Sequence, residues 1–357
     1  MIYIVDIEAV ETRYTAQWKE HLPKMFGNKC VNISGGDVPQ MTTPGAFLNF
    51  AGTNVYKSNQ LSQIAEMFAN NTVKDGDYFL YTDAWNPTVI QLKYMAELLG
   101  KKIKIGGLWH AGSYDPQDFL GRLIGDERWV RNAEKSMFDC YDNNFFATDF
   151  HIDLYVDTFK HSGMYVGYTT HKGKIIRTGW PMEYMQDTLS PYKGMPKKDI
   201  IVFPHRIAPE KQVNIFYDLK EQLPQYEFVV AQEHQLTKNE YHNLLGEAKL
   251  VFSANLQETL GISWYEGALV DTIPMVPNRL SYKEMVMPEF AYPSEWTLSN
   301  TNYQSNKAQV VDKIKDYMDN YEQYLPALQK QTKFLSKKFF SAKNMYATIN
   351  NNGNPLP

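Results

Sequence analysis

The chain has 357 residues, a formal net charge of −4, 43% hydrophobic and 21% charged residues, which fits a globular protein of about two domains and excludes a disordered or collagen-like chain. No run of about eighteen apolar residues occurs, and Met1–Asp6 has no basic segment before its apolar one, so no membrane anchor or secretory signal is expected and a cytoplasmic location follows. Cys30 and Cys140 are too few for a disulfide scaffold or a Cys-based zinc site.

Met1–Asp6 reads as a strand and Asn59–Ala69 as a helix. Tyr78–Thr82 is a strand, followed by a helix from Pro87 to Leu99 that Gly100 stops. Strands at Ile103–Leu108 and Asn144–Thr148, a helix at His151–Phe159 and a strand at Lys174–Thr178 complete the first half. Pro181, Pro191, Gly194 and Pro196 mark a connection. The pattern then restarts with strand Asp199–Phe203, helix Lys211–Gln222, strand Glu227–Ala231, helix Asn239–Ala248 and strand Leu250–Ser253. Helix Ile262–Val270, strand Thr272–Val276 and a long polar helix Thr301–Tyr321 follow. Strand–helix alternation predicts an α/β fold with parallel sheets in two Rossmann-like, doubly wound domains facing across a cleft. The expected boundaries are 1–183, a linker at 184–197, a second domain at 198–335 and a basic tail at 336–357 that returns to the first domain.

The densest chemistry lies in the second half. Phe203-Pro-His-Arg-Ile-Ala-Pro-Glu-Lys211 puts Arg206 and Lys211 in a loop leaving a strand just before a helix, where two cations suit a diphosphate. Glu258-Thr-Leu-Gly-Ile-Ser-Trp-Tyr-Glu266 then sets two carboxylates around a loop-to-helix junction, with Gly261 allowing close backbone approach.

Together these residues resemble retaining nucleotide-sugar glycosyltransferases of the GT-B fold, with their Glu-x7-Glu element. The resemblance implies that Arg206 and Lys211 hold the donor diphosphate, Glu266 the nucleotide ribose and Glu258 the transferred sugar. The segment Thr259, Leu260, Gly261 and Ile262 would contribute backbone amides. Asp271 stands where the family commonly has glycine. Phe203-Pro-His-Arg206 and Leu280–Tyr292 are also similar to tRNA-queuosine mannosyltransferases, a likeness confined to the C-terminal half. It implies an acceptor base in nucleic acid, either hydroxymethylated phage-type DNA or tRNA.

In the first half, Gly107-Leu-Trp-His-Ala-Gly-Ser-Tyr-Asp-Pro116 leaves a strand, and the resemblance makes His110 the donor-sugar contact; the bland alternative is a loop-capping His. Asp115, with Asp83 and Trp85 of Tyr81–Pro87 and Arg13 after the first strand, are acceptor candidates. Asp115 and Asp118 equally suit a helix cap, and Trp85 equally suits packing. Ser34-Gly-Gly-Asp37 reads as a plain turn. No metal-ligand pattern stands out and no cofactor is expected, only a nucleoside-diphosphate sugar as co-substrate. From Gln323 onward there is no acid, while Lys330, Lys333, Lys337, Lys338 and Lys343 form a basic stretch fit for a phosphate backbone or, more blandly, a solvated face. Open alternatives are a small-glycan, lipid-linked or metabolite acceptor, a sugar-nucleotide epimerase, and a binding module without transfer.

Overall fold

The computed structural model describes residues 1–10, 13–39, 41–44, 46, 48–125, 127–161 (His161 by its backbone only) and 174–354. Glu11 and Thr12 of the segment after the first strand, and residues 355–357 of the tail, lie outside the described residues.

The first sheet holds β1 (Ile2–Val5), β2 (Cys30–Ile33), β3 (Tyr78–Tyr81), β4 (Lys104–Leu108), β5 (Asn143–Phe146) and β6 (Ile175–Arg177), ordered β2-β1-β3-β4-β5-β6. Every pairing in it is parallel. The second sheet holds β7 (Lys198–Phe203), β8 (Glu227–Val230), β9 (Ala248–Phe252), β10 (Ile273–Pro277) and β11 (Ala291–Tyr292), ordered β11-β10-β9-β7-β8, again all parallel. Central strands such as β3 (Tyr-Phe-Leu-Tyr) are buried along their length because helices cover both faces of a parallel sheet. Each sheet has its own apolar core, one built around Phe79, Trp109 and Tyr155, the other around Phe203, Phe252 and Tyr303.

The chain divides into a unit of Met1–Pro181 with Ala342–Pro357 and a unit of Met182–Ser341. Residues 184–197, expected as a linker, carry the helix Met185–Leu189 and pack on the second unit. A Cβ on Gly246 would meet the Met195 Sδ at 2.7 Å and the Tyr192 carbonyl at 2.8 Å, so that contact requires glycine. The Lys197 ammonium donates to the Ala248 and Val270 carbonyls and to Thr272 Oγ1 at 2.7–3.0 Å. The basic stretch is not one tail. Lys330, Lys333, Lys337 and Lys338 lie on the helix Tyr321–Lys338 of the second unit, whereas Lys343 opens the helix Lys343–Asn350 on the first. That last helix is tied by Met345 N to Thr178 Oγ1 at 3.2 Å and by the Phe26–Tyr346 ring pair at 5.5 Å.

Other departures have local causes. The helix expected from Asn59 begins at Phe50, where the Asn49 side chain accepts from Gly52 N at 2.8 Å. The expected helix Thr301–Tyr321 ends at Asp319, and Tyr321 starts the next one. Helices Thr15–Phe26 and Arg128–Cys140 and strand β2 were not anticipated. In Ser34–Asp37, a Cβ on Gly35 would strike the Tyr56 carbonyl at 2.2 Å, so this glycine serves helix packing.

Candidate functional site

In the second unit, β7 delivers its loop through the 3-10 turn Pro209–Lys211 to Gln212. Gln212 has a left-handed backbone (φ 54°), anchored by its side-chain amide to the Ala254 and Thr297 carbonyls at 2.6 and 2.7 Å. Helix Val213–Gln222 starts only after it, so Lys211 lies before the helix rather than opening it. Arg206 reaches the buried Glu210 carboxylate at 2.6 Å. Lys211, with a side chain 8% exposed, donates to the Gln257 carbonyl at 2.6 Å and sits 3.6 Å from Glu258. The lysine and the first glutamate of the motif are thus together.

Glu258 also accepts from Asn255 Nδ2 and from Leu260 N, each at 3.3 Å. Asn255 is held by Tyr282 OH at 3.0 Å, and its own Oδ1 is buried without a partner. The Leu260 amide is therefore turned toward Glu258, while Gly261 caps the helix Ile262–Leu269 with φ 85°. The expected reason for Gly261 was ligand approach. The structure gives another: a Cβ there would lie 2.2 Å from Trp264 Nε1. Thr259 lies between Glu258 and Leu260 on the same loop, half-buried.

Glu266 is inside that helix, its side chain 13% exposed. Tyr241 OH donates to it at 3.3 Å, and His242 Nε2 is 4.0 Å away. Burial pushes its carboxyl up to about 7, against the opposing pull of Lys238 and the Tyr241 hydroxyl. Lys238, Tyr241 and His242 come from the helix Lys238–Glu247 and were missed from sequence, although Thr237-x-x-Glu240 is a legible capping box that sets where this helix starts. His205 was also passed over. Its Nε2 is buried without a partner, its Nδ1 is 3.5 Å from Ser263 Oγ, and burial holds it neutral.

In the first unit, His110 follows β4 with both ring nitrogens engaged. Nε2 faces the Thr82 carbonyl at 2.8 Å, and a carbonyl can only accept, so Nε2 carries the proton and Nδ1 accepts from Tyr14 OH at 3.1 Å. Burial lowers its pKa, so the ring stays neutral among Tyr14, Trp18 and Trp180. Behind it, Tyr114 OH donates to the His110 carbonyl at 2.6 Å and is met by His151 Nε2 at 2.5 Å. Arg13 lies 6.0 Å from the Tyr14 ring.

Asp83 pairs with Lys57 at 3.6 Å and accepts from Trp85 N at 3.1 Å. The Trp85 indole donates to Glu134 at 2.9 Å, and Glu134 also binds Arg131 at 2.7 Å. The indole N–H is therefore used within the unit. Asp115 is buried and accepts from Gln117 N at 3.0 Å, and Asp118 caps the helix Phe119–Ile124 through Leu120 N at 3.1 Å. Among the described residues, no group of three or more His, Cys, Asp or Glu is placed to hold a metal ion, and no helix is long and apolar enough to cross a membrane.

The chain is similar in structure to HepE from Anabaena solved with UDP, at TM-score 0.57 and 11% identity over 98% of each chain. It is equally similar to sucrose-phosphate synthase from Thermosynechococcus elongatus, at TM-score 0.57 and 12% identity over 98% of this chain and 97% of that one. The fold is GT-B. A mutant of S. aureus TarM, in complex with Fondaparinux, alpha-GlcNAc-glycerol and UDP, matches at TM-score 0.55 and 13% identity over 83% of this chain. The chain spans only 59% of that TarM chain's length. No family model matches the sequence, and no curated protein matches it at a significant level. HepE is also matched in a complex with UDP-glucose, at TM-score 0.56 and 10% identity.

Proposed function

We propose that this protein is a retaining glycosyltransferase that moves a sugar from a nucleoside-diphosphate sugar to a hydroxyl acceptor. The observation that carries the reading is the junction of Lys211, Glu258 and the start of helix Ile262–Leu269 at the C-terminal strand ends of a GT-B sheet. Ligands bind α/β sheets at that edge. As the glycosidic bond breaks, negative charge grows on the departing diphosphate, and Arg206 and Lys211 stabilise it. Glu266 accepts the ribose hydroxyls, and Glu258 positions the sugar. The acceptor oxygen attacks from the face the diphosphate leaves, giving up its proton to a departing phosphate oxygen. The N-terminal unit supplies the acceptor side, where Asp83, Asp115, Trp85 and Arg13 lie, and it supplies His110 for the donor sugar near the reacting carbon. His110 acts there through its neutral ring and its orientation of Tyr14.

A panel of nucleotide sugars tests this directly. Slow donor hydrolysis and sugar transfer with unchanged anomeric configuration are expected. Release of no nucleotide from any donor overturns it in favour of a binding module, and donor interconversion without acceptor would reassign it to epimerisation.

The two glutamates should separate kinetically. Glu266→Ala raises the donor KM, because a ribose contact is alike in ground and transition states, whereas Glu258→Gln lowers kcat more than it changes KM. A similar KM change in both, with kcat intact, removes the assignment. Glu266 also gives donor binding a pH dependence. With its carboxyl raised to about 7, the acceptor form is lost as pH falls through 7, so donor affinity drops by up to about tenfold per unit below it. Stability runs the other way: the folded state holds this proton more tightly, so the contribution is present below the unfolded carboxylate value and is lost as pH rises through about 7. Glu266→Gln should flatten both curves.

A further inference from the structure

One basic surface of the second unit takes no part in the donor site. Lys330, Lys333 and Lys337 recur on the helix Tyr321–Lys338, all exposed. With Phe334 and Lys338 they fall within about 140° of the helix circumference, at roughly 100° per residue. Leu328, Gln331 and Leu335 are buried on the side that adjoins this arc beyond Lys338. Some helix lysines elsewhere are matched by acids a turn away, as in Lys93–Glu97 at 3.1 Å and Lys24–Glu20 at 4.0 Å. On this face no acid follows Glu322, and among the described residues Lys330, Lys333 and Lys337 make no ion pair. Like charges at such spacing repel and destabilise the helix. The helix dipole favours cations only in the last turn, which accounts for Lys337 and Lys338 but not for Lys330 or Lys333.

Two further features point to a ligand. Beside the lysine row lies a cavity of about 330 Å³ lined by Lys193, Lys333, Lys337, Gln329, Thr332 and Ser336, a polar pocket with a single acid side, Asp271, which Lys193 approaches at 3.9 Å. Among the lysines, Phe334 is 38% exposed, and the Lys338 ammonium lies 5.4 Å from its ring. Cations that follow a backbone and an exposed aromatic that stacks on a base are the two components of single-strand recognition.

We propose that this helix face and its pocket bind a nucleic-acid strand, with phosphates along Lys330, Lys333 and Lys337 and an unpaired base on Phe334. Lys330 to Lys337 spans about 10 Å of helix, enough for a short run of phosphates. The inference rests on the transferase reading only in making this surface an acceptor track; the binding itself is independent of catalysis.

The test is fluorescence anisotropy of a labelled oligothymidylate with the full chain over a salt series. Wild-type affinity should fall steeply with salt. The variant K330Q/K333Q/K337Q should flatten the log–log slope by about 2, at roughly 0.7 per single-strand phosphate contact. Phe334→Ala should weaken oligothymidylate by about five- to a hundredfold with the slope unchanged, and leave an abasic oligomer unaffected. All four side chains are exposed, so the melting temperature should hold in Phe334→Ala and hold or rise slightly in the triple variant, where the like-charge repulsion is removed. A salt-insensitive affinity, or an unchanged slope in the triple variant, overturns the proposal. So does equal loss of the abasic oligomer on Phe334→Ala, and so does lysine-dependent sedimentation with phosphatidylserine vesicles without oligothymidylate binding. Donor hydrolysis by the triple variant should equal that of wild type. Absence of hydrolysis in the wild type would sink the transferase reading and leave this binding result standing.

Discussion

Arg206→Ala and Lys211→Ala should each reduce turnover by about two to three orders of magnitude, the scale of removing a group aimed at charge that develops in the transition state. The two variants should differ in stability. Arg206 is partly exposed, but its partner Glu210 is fully buried at 2.6 Å, so Arg206→Ala withdraws a cation from a buried carboxylate. Lys211→Ala leaves the Gln257 carbonyl without its 2.6 Å donor, which costs about 1–3 kcal/mol if no water replaces it. Lys211→Met keeps the aliphatic stem and isolates the charge. Kinetics on samples shown to be folded by thermal melting decide the matter. Near wild-type turnover in folded Arg206→Ala and Lys211→Met would remove both residues from the donor site.

The strands were legible where burial on both faces forces an unbroken apolar run, as in Ile200–Phe203 or Tyr78–Tyr81. Strand β2 was not, because Cys30-Val-Asn-Ile33 is an edge strand with only Ile33 buried and its composition reads as loop. Helix Thr15–Phe26 was hidden by Pro23 in its interior and by the lack of a capping side chain at Tyr14. The two-domain parallel-sheet architecture could be read because the strand–helix alternation restarts after the connection, and the motif resemblance gave the GT-B expectation. The parting of the lysines between two helices could not be read, because the break near Ser341 has no glycine or proline to announce it.

The proposed donor motif could be picked out because it falls into two short runs, 206–211 and 258–266, each at a strand end. What surrounds it could not be. Tyr241 approaches Glu266 from a helix of its own, and Tyr282 reaches Asn255 from beyond β10, pairings that only the folded sheet creates. Trp85 has a partner within its own unit that its loop position does not announce. A tryptophan in a strand-end loop invites a stacking role, yet its N–H is spent on Glu134 at 2.9 Å, in a network with Arg131 that fixes this loop against the helix Arg128–Cys140. His110 likewise has both ring nitrogens engaged, by the Thr82 carbonyl and the Tyr14 hydroxyl, while Tyr114 OH donates to its carbonyl, contacts that its position after a strand does not announce.

Gly261→Ala should be among the most damaging single-methyl additions in the second unit, for two separable reasons. At φ 85° an alanine pays the left-handed penalty, about 1–2 kcal/mol. Its Cβ would also lie 2.2 Å from Trp264 Nε1 and 2.5 Å from Trp264 Cδ1, and that indole is fully buried with no room to swing away. Overpacking of this kind costs about 1–3 kcal/mol more. The loop would relieve it by shifting the segment between Glu258 and Ile262, so turnover should fall with stability. Trp264→Ala offers the control, because it removes both Nε1 and Cδ1. The Trp264 N–H has no hydrogen-bond partner, so the exchange forfeits packing volume but no hydrogen bond. In the double variant the steric part should vanish while the backbone penalty stays. The double-mutant cycle should therefore show coupling of about 1–3 kcal/mol between the two sites. Melting of all four proteins reads the coupling. Additive effects would mean that Trp264 does not dictate the glycine, and the demand for glycine at 261 would then come from backbone conformation alone.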